Sequence, residues 1–320
     1  MLRRLTDHRP RSTRKTALVT ALLALPACRP SGQPAVVPLA IVPSATMAPD
    51  RVPAGEPIVV SYKWAVHGLL PPLLERHRAF VHFVDAEGAL LFTDDHPLSP
   101  PLDAWQPGGR SYEYRRIVLT PTFPYVGAVT VLMGLYGETT GERLALQGDQ
   151  WGRRAYQAGR FTMLPRRRDL TLTCDGLFPS EASIDSPLVI TRFMPHHAIC
   201  RFPNPREDVI LLVHGDIEPE GFPSPPVLTV SAARSFAADL PLTLMSDPQL
   251  LRVRLPAASL GRAPVSELRL SMSHTYVPRS LGVGDDPREL SLRVRGLSVG
   301  LAKELDPLLI DGASEARRPQ

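Results

Sequence analysis

Residues 58–64 read Ile-Val-Val-Ser-Tyr-Lys-Trp, and this stretch decides the fold class. Every second residue from Ile58 to Trp64 is large and apolar, whereas Ser61 and Lys63 stand between them. Successive side chains of a β-strand point to opposite faces, so this alternation is typical of a strand with one face in a core. It predicts a sheet that packs on one side and meets water on the other.

The same period of two recurs along the rest of the chain. Residues 80–85 and 89–93 flank Asp85-Ala86-Glu87-Gly88, whose glycine can take a positive φ, and together they predict a hairpin. Further strands are predicted at 112–120, 126–136, 144–146, 156–163, 170–174, 188–193, 198–202, 209–214, 227–231, 240–244, 251–255, 267–274 and 290–299. Short helices are predicted only at 69–76 and 301–309. The 35 prolines also favour short strands joined by turns. We predict an all-β chain of two antiparallel β-sandwich domains in tandem, immunoglobulin-like or jelly-roll-like.

The N-terminus reads as an export signal. A cationic stretch from Arg3 to Lys15 precedes the apolar run 17–25, which is too short to span a bilayer. Leu25-Pro26-Ala27-Cys28 then resembles the lipobox of bacterial lipoproteins, which implies lipidation of Cys28. The alternative is an ordinary secretory peptide that is cut elsewhere, with Cys28 there by chance.

Composition shifts suggest the domain boundaries. We predict a signal peptide at 1–27, a Pro/Ala-rich tether at 28–50, a first sandwich at 51–165, a second at 166–303 and a tail at 304–320 that is disordered from Asp311. Removing residues 1–27, which carry six Arg or Lys and one Asp, turns the net charge from +4 to −1. A nucleic-acid partner is therefore not expected.

Cys174 and Cys200 are the cysteines of the exported part. In an oxidising compartment they predict a disulfide, because each alternates with apolar residues on one strand face. Closing a loop of this length stabilises a fold by roughly 3 to 4 kcal/mol on the chain-entropy model.

Two clusters could carry chemistry. Asp94-Asp95-His96, near His82 and Asp85, could be an acid/base or metal site, but it also fits a polar turn after a strand. His196-His197 with Cys200 could bind a metal, although Cys200 fits a disulfide better. The common hydrolase, zinc-protease and phosphate-loop motifs do not occur. We therefore expect no enzyme activity, no cofactor and no metal. The alternative interpretation is a glycoside hydrolase that acts through residues 94–96.

Exposed aromatic rings are the usual sugar-stacking groups. Trp64 alternates into a core face and is assigned to packing. Trp105, Trp151 and Tyr276 lie in polar or turn-rich segments, so we predict them as ligand-binding candidates.

Two parts of the chain resemble known modules. VHFVDAEG (81–88), DDHPL, AWQPGG and GLYGETTGERL resemble a β-sandwich module at the C-terminal end of bacterial membrane glycosyltransferases of the mannosyltransferase type, which usually has an aspartate where Gly137 stands. DGLFPSE (175–181), TRF and 273–290 resemble a jelly-roll-like carbohydrate-binding module. The resemblance makes Arg288 a further ligand candidate, although its pairing with Asp286 as a structural contact is the favoured interpretation.

These observations predict a non-catalytic lipoprotein of the bacterial envelope, anchored in the outer membrane or at the cell surface. Its partner is expected to be a polysaccharide or a protein that handles one. Two alternatives stay open: an assembly lipoprotein with only protein partners, and an envelope glycoside hydrolase.

Overall fold

The computed structural model describes residues 38–312 except 71, 168–169, 183–189, 233–235 and 246. The predicted signal peptide, Cys28 and the last residues of the tail lie outside the described residues. The described part is all-β, as predicted, and it also contains two short α-helices. Its strands form two sandwiches, each made of two sheets around its own apolar core.

The first sandwich contains ten strands, all in antiparallel pairs except β2 with β10. They are β1 (Ile41–Ala48), β2 (Arg51–Pro53), β3 (Pro57–Val66), β4 (His77–Val84), β5 (Leu90–Thr93), β6 (His96–Pro97), β7 (Arg110–Leu119), β8 (Gly127–Gly137), β9 (Gln150–Gly152) and β10 (Ala155–Leu164). One sheet has the order β1-β3-β7, and the other has the order β2-β10-β8-β4-β5, with β6 on β4 and β9 on β10.

The core of this sandwich follows the alternation that the sequence shows. Tyr62 and Trp64 of β3 are fully buried against Val81 and Phe83 of β4 and Met133 of β8. The β4–β5 hairpin is also confirmed, with Gly88 of its turn at φ +86°.

The second sandwich contains the remaining ten strands. They are β11 (Thr173–Asp175), β12 (Glu181–Ala182), β13 (Ile190–Phe193), β14 (His197–Pro203), β15 (Val209–Asp216), β16 (Val227–Ala232), β17 (Phe236–Pro241), β18 (Gln249–Leu255), β19 (Val265–Met272) and β20 (Arg293–Leu301). The sheet orders are β11-β14-β19-β16-β17 and β12-β13-β20-β15-β18. Cys174 and Cys200 are paired residues of β11 and β14, and the predicted disulfide joins them.

The folded part of the described chain begins earlier and ends later than predicted. The tether predicted at 28–50 is wrong from Ile41 onward, because β1 pairs with β3 along its whole length. Pro43 is tolerated there since β1 is an edge strand, where one side of the backbone needs no ladder hydrogen bond. The disordered tail predicted from Asp311 is wrong for Asp311 and Gly312, because both belong to α2 (Ala302–Gly312), which is packed on the sandwiches.

The helices match only in part. Helix α2 confirms the prediction at 301–309, whereas the described residues of 69–76 form no helix. Helix α1 (Pro278–Leu281) is a single turn that was not predicted. Residues 144–146 make an isolated contact with β8 instead of a strand, and β17 ends at Pro241, near where a strand was predicted to begin.

A small apolar cluster joins the two sandwiches. Leu119 of β7 packs with Ile210 and Leu212 of β15, and Leu305 and Leu309 of α2 cover them. A charged contact lies beside it, where Arg167 bonds both Glu56 (2.5 Å) and Glu304 (3.0 Å). The two sandwiches therefore share a packed interface through α2.

Candidate functional site

The first of the predicted polar clusters, residues 94–96, follows the edge strand β5. The Asp94 carboxylate is buried between the sheets, where it accepts hydrogen bonds from the Tyr62 hydroxyl (2.9 Å) and from Nε and Nη2 of Arg116 (2.8 and 2.9 Å). Although burial alone would raise it, Arg116 and the hydrogen bonds hold the pKa of Asp94 well below its usual range. Asp94 is thus a permanently charged partner of Arg116.

His96 is equally enclosed. Its Nδ1 lies 2.5 Å from the Asp94 carbonyl oxygen, and its Nε2 lies 2.7 Å from the Tyr114 hydroxyl. Since a carbonyl only accepts, Nδ1 donates to it, and Nε2 shares a hydrogen bond with the Tyr114 hydroxyl. Tyr114 in turn accepts from Nε1 of Trp64 at 3.3 Å. The chain of bonds from Trp64 to Asp94 occupies both ring nitrogens of His96.

Asp95 points the other way, toward the surface of the β4–β5 edge. Its side chain is 37% exposed, accepts from the Val81 N–H (2.9 Å) and lies 4.0 Å from Nε2 of His82. Desolvation and the nearby Asp94 charge raise the pKa of Asp95 to about 6. Desolvation, with help from Arg143, lowers the pKa of His82 to about 4. At neutral pH the pair is therefore an anion beside a neutral imidazole.

The side chains of His82, Asp94 and Asp95 reach a cleft of about 900 Å³ between the two sandwiches. One wall comes from β4, β5 and the loop after β7, and the other comes from β11, β13, β15 and β20. The lining mixes leucines and the rings of Phe92 and Phe123 with polar groups. Among the polar groups are Arg78, His82, Asp95, Arg166, Arg192 and His214.

Most charges around the cleft are balanced within the protein. Arg78 pairs with Asp247, across the two sandwiches, and Arg295 pairs with Asp216 (2.6 Å). Burial lowers the pKa of His214 to about 4, so this imidazole is neutral at pH 7.

Two of the predicted ligand residues, Trp105 and Tyr276, are buried, so the prediction that their rings stack on a ligand is wrong. Trp105 is 5% exposed: its ring stacks on Tyr112 (4.7 Å between centroids), and its Nε1 donates to the Pro100 carbonyl (2.9 Å). Tyr276 is 6% exposed and packs edge-on against Phe222. Both rings fold back from their loops into the cores, so neither offers a free face to a ligand.

Arg288 is held by its neighbours. It pairs with Asp286 and Glu181 (2.6 Å each) and lies over the Phe178 ring at 5.0 Å. This arrangement supports the structural interpretation of Arg288, which ties the closing segment to β12.

Trp151 is the one ligand candidate whose ring is substantially exposed, at 47%. It lies on β9 against Gly88, in the turn before β5. The predicted ligand candidates do not converge: Trp151 belongs to the first sandwich, Tyr276 and Arg288 belong to the second, and none of them lines the cleft.

The second polar cluster lacks its sulfur ligand. The rings of His196 and His197 are 6.1 Å apart, but the sulfur of Cys200 is in the disulfide. Within the described ranges no group of three or more His, Cys, Asp or Glu side chains is placed to hold a metal.

Sequence reasoning missed Arg166 and Arg192 altogether. Arg166 belongs to the charged segment that was interpreted as a domain boundary, and Arg192 lies in the Thr-Arg-Phe motif of the second module. No periodicity could place them in one cleft, because they reach it from different sandwich elements.

No helix of the described residues is long and apolar enough to cross a membrane.

No family model matches the chain, and no curated protein matches it. Among solved structures, it is similar to a 4-O-methyl-α-glucuronidase of glycoside hydrolase family 115 (TM-score 0.28, 9% identity, 47% of this chain and 20% of the other). It is also similar to the tandem carbohydrate-binding modules of a Paenibacillus barcinonensis protein (TM-score 0.26, 9% identity, 80% and 82%) and to an adhesin from Mobiluncus mulieris (TM-score 0.25, 10% identity, 81% and 96%). The chain thus spans about a fifth of the glucuronidase. At these TM-scores the similarities assign no function.

Proposed function

We propose that this protein binds polysaccharide in the cleft between its two sandwiches, and that it does so without chemistry, at the bacterial envelope, where a lipid on Cys28 anchors it to the outer membrane or cell surface. The observation that carries the proposal is the cleft itself. Its volume of about 900 Å³ is at the upper end of the range typical of small-ligand sites. Its walls come from both sandwiches, so an oligosaccharide lying there would contact both.

The lining of the cleft is better suited to a sugar ligand than to a protein partner. Apolar groups such as Phe123 and Leu297 can cover the C–H faces of a pyranose, and hydroxyl and charged groups alternate with them. A protein partner would be favoured by a broad apolar patch. The large apolar residues that are most exposed, Leu69, Leu74 and Val126, do not line the cleft.

The absence of chemistry is proposed because Asp94 and His96 already have protein partners on their polar atoms. One observation favours the hydrolase as a second candidate. Asp95, with a pKa of about 6, lies in the cleft wall beside the ionised Asp94, and such a pair of carboxyl groups is typical of acid/base sites.

A glycan array and a polysaccharide pull-down with the full chain test the proposal. Thr173→Trp places a large ring on an exposed cleft residue of β11 and is expected to abolish binding by occupying the cleft. Val265→Trp is the matched control, because Val265 is 50% exposed on a strand of the same sheet and does not line the cleft.

The result that would overturn the proposal is binding by Thr173→Trp equal to that of the unchanged chain. A reducing-sugar assay on every polysaccharide that binds, repeated with Asp95→Asn, decides the second candidate. Release of reducing ends that Asp95→Asn stops would establish the hydrolase.

A further inference from the structure

We infer that the ligand of the cleft is an anionic oligosaccharide and that Arg166 and Arg192 bind its acidic groups. The inference rests on the proposed function and names the class of ligand. It begins from the balance of charge along the cleft walls.

The other arginines at the cleft have carboxylate partners within the protein. Arg78 is paired with Asp247, and Arg295 is paired with Asp216. The buried Asp94 of the cleft wall is paired with Arg116. Glu138 also lies 3.6 Å from Arg78, and Arg293 and Glu218 extend the Asp216 pair, so none of these three pairs leaves an arginine free for a ligand.

Arg166 and Arg192 differ from these arginines. Both side chains are exposed and line the cleft, and neither has an ion pair or a hydrogen bond within the part of the chain that the structure describes. They come from separate elements, since Arg166 follows β10 and Arg192 is on β13 opposite Val294 of β20. A ligand that meets both would therefore contact the segment that connects the two sandwiches as well as the second sandwich.

The opposing negative charge is smaller. Asp95 is the acidic lining residue that the three pairs leave over, and it lies 4.0 Å from His82, which is uncharged at neutral pH. Among the residues that line the cleft, four arginines thus face three aspartates, so the lining keeps an excess of positive charge at pH 7. A guanidinium presents a planar fork of donors that fits carboxylate, sulfate or phosphate oxygens two at a time, so the excess favours glycans with such groups.

The test measures binding of the full chain to oligogalacturonate, dextran sulfate and neutral dextran of similar length by calorimetry at constant salt. We expect a preference for an acidic glycan over neutral dextran. The first two probes distinguish a carboxylate ligand from a sulfate ligand. Arg166→Gln with Arg192→Gln should weaken the preferred acidic probe about tenfold or more, since each arginine loses charge-assisted hydrogen bonds.

The matched control is Arg262→Gln with Arg269→Gln, which removes the same charge from exposed arginines that do not line the cleft. It should bind like the unchanged chain, and circular dichroism should show that both double variants are folded. An equal loss in both double variants would overturn the inference, because the effect would then come from net charge. If the chain binds a neutral glycan and neither double variant changes that binding, the inference is overturned and the proposed function stands. Failure to bind any glycan would overturn both.

Discussion

The carboxylate of Glu75 lies against the α-carbon of Gly137 and fills the space that a side chain at 137 would take. A β-carbon on Gly137 would overlap Oε1 of Glu75. The same carboxylate accepts hydrogen bonds from the N–H groups of Thr139 (2.8 Å) and Thr140 (3.1 Å) and from the Thr140 hydroxyl (2.6 Å), and these bonds lower the pKa of Glu75. Glu75 thus holds the turn after β8, and it can do so because residue 137 is a glycine, which has no side chain to occupy that space.

The first prediction concerns this pair. Gly137 does not have a positive φ, so the backbone itself accepts a side chain there, and the nearest obstacle is the carboxylate of Glu75. Gly137→Asp should lower the free energy of unfolding by about 1 to 3 kcal/mol, as an overpacked site does. In a Glu75→Ala background the same substitution should lower the free energy of unfolding by clearly less. Urea denaturation of the four chains measures the coupling, and an equal cost in both backgrounds would contradict the contact.

The second prediction concerns helix α2. Leu305 is buried where α2 meets Gly300 of β20 and the cluster that joins the sandwiches. Leu305→Ala should lower the free energy of unfolding by about 2 to 4 kcal/mol through lost burial and a cavity. Leu308→Ala, on the same helix but only partly buried, should cost less. Equal and small losses in urea denaturation would show that α2 does not support the interface.

The sequence predicted those parts of the fold that depend on local signals. The β4–β5 hairpin follows from the turn chemistry of Asp85–Gly88, and the core of β3 follows from its alternation. Strand β1 was missed because its proline suggests a tether, and only its edge position in the finished sheet makes that proline acceptable.

The site was predicted less well because it depends on tertiary contacts. Trp105 stands among turn residues, and its burial results from stacking on Tyr112, a residue of the following strand. The cleft itself has no local signal, since Arg166 of the segment after β10 and Arg192 of β13 line one cleft only in the folded chain. Residues 94–96 were predicted as a possible site. Alternation alone could not show that Asp94 is paired with Arg116 and that Asp95 faces the cleft.

The third prediction concerns Asp94. Its folded-state pKa is lowered, so its charge adds stability at neutral pH, and this stability is lost as pH falls below the unfolded value of about 4. Asp94→Asn leaves the partly buried Arg116 without its carboxylate and should lower the free energy of unfolding by about 3 kcal/mol at pH 7. Urea denaturation at pH 7 and pH 3 measures the effect. A penalty as large at pH 3 as at pH 7 would argue against an ionic role.

The fourth prediction concerns the neighbouring carboxyl group of Asp95, whose effect on stability changes with pH in the opposite direction to that of Asp94. The pKa of Asp95 is raised to about 6 by desolvation, so between about pH 4 and 6 the folded chain keeps a proton that the unfolded chain has released, and stability falls as pH rises. Because the side chain is 37% exposed, solvent screening limits this cost to about 1 kcal/mol at pH 7.

Asp95→Asn keeps an oxygen for the Val81 N–H and removes the charge. It should therefore raise the free energy of unfolding by about 1 kcal/mol at pH 7 and change it little at pH 4, where Asp95 is protonated in the folded chain. Urea denaturation at the two pH values provides the measurement, with Asp85→Asn in the exposed β4–β5 turn as a control for the loss of one negative charge. Destabilisation at pH 7 would mean that Asp95, like Asp94, is held as an anion by the fold, and its charge would then oppose an acidic ligand in the cleft at every pH above 4.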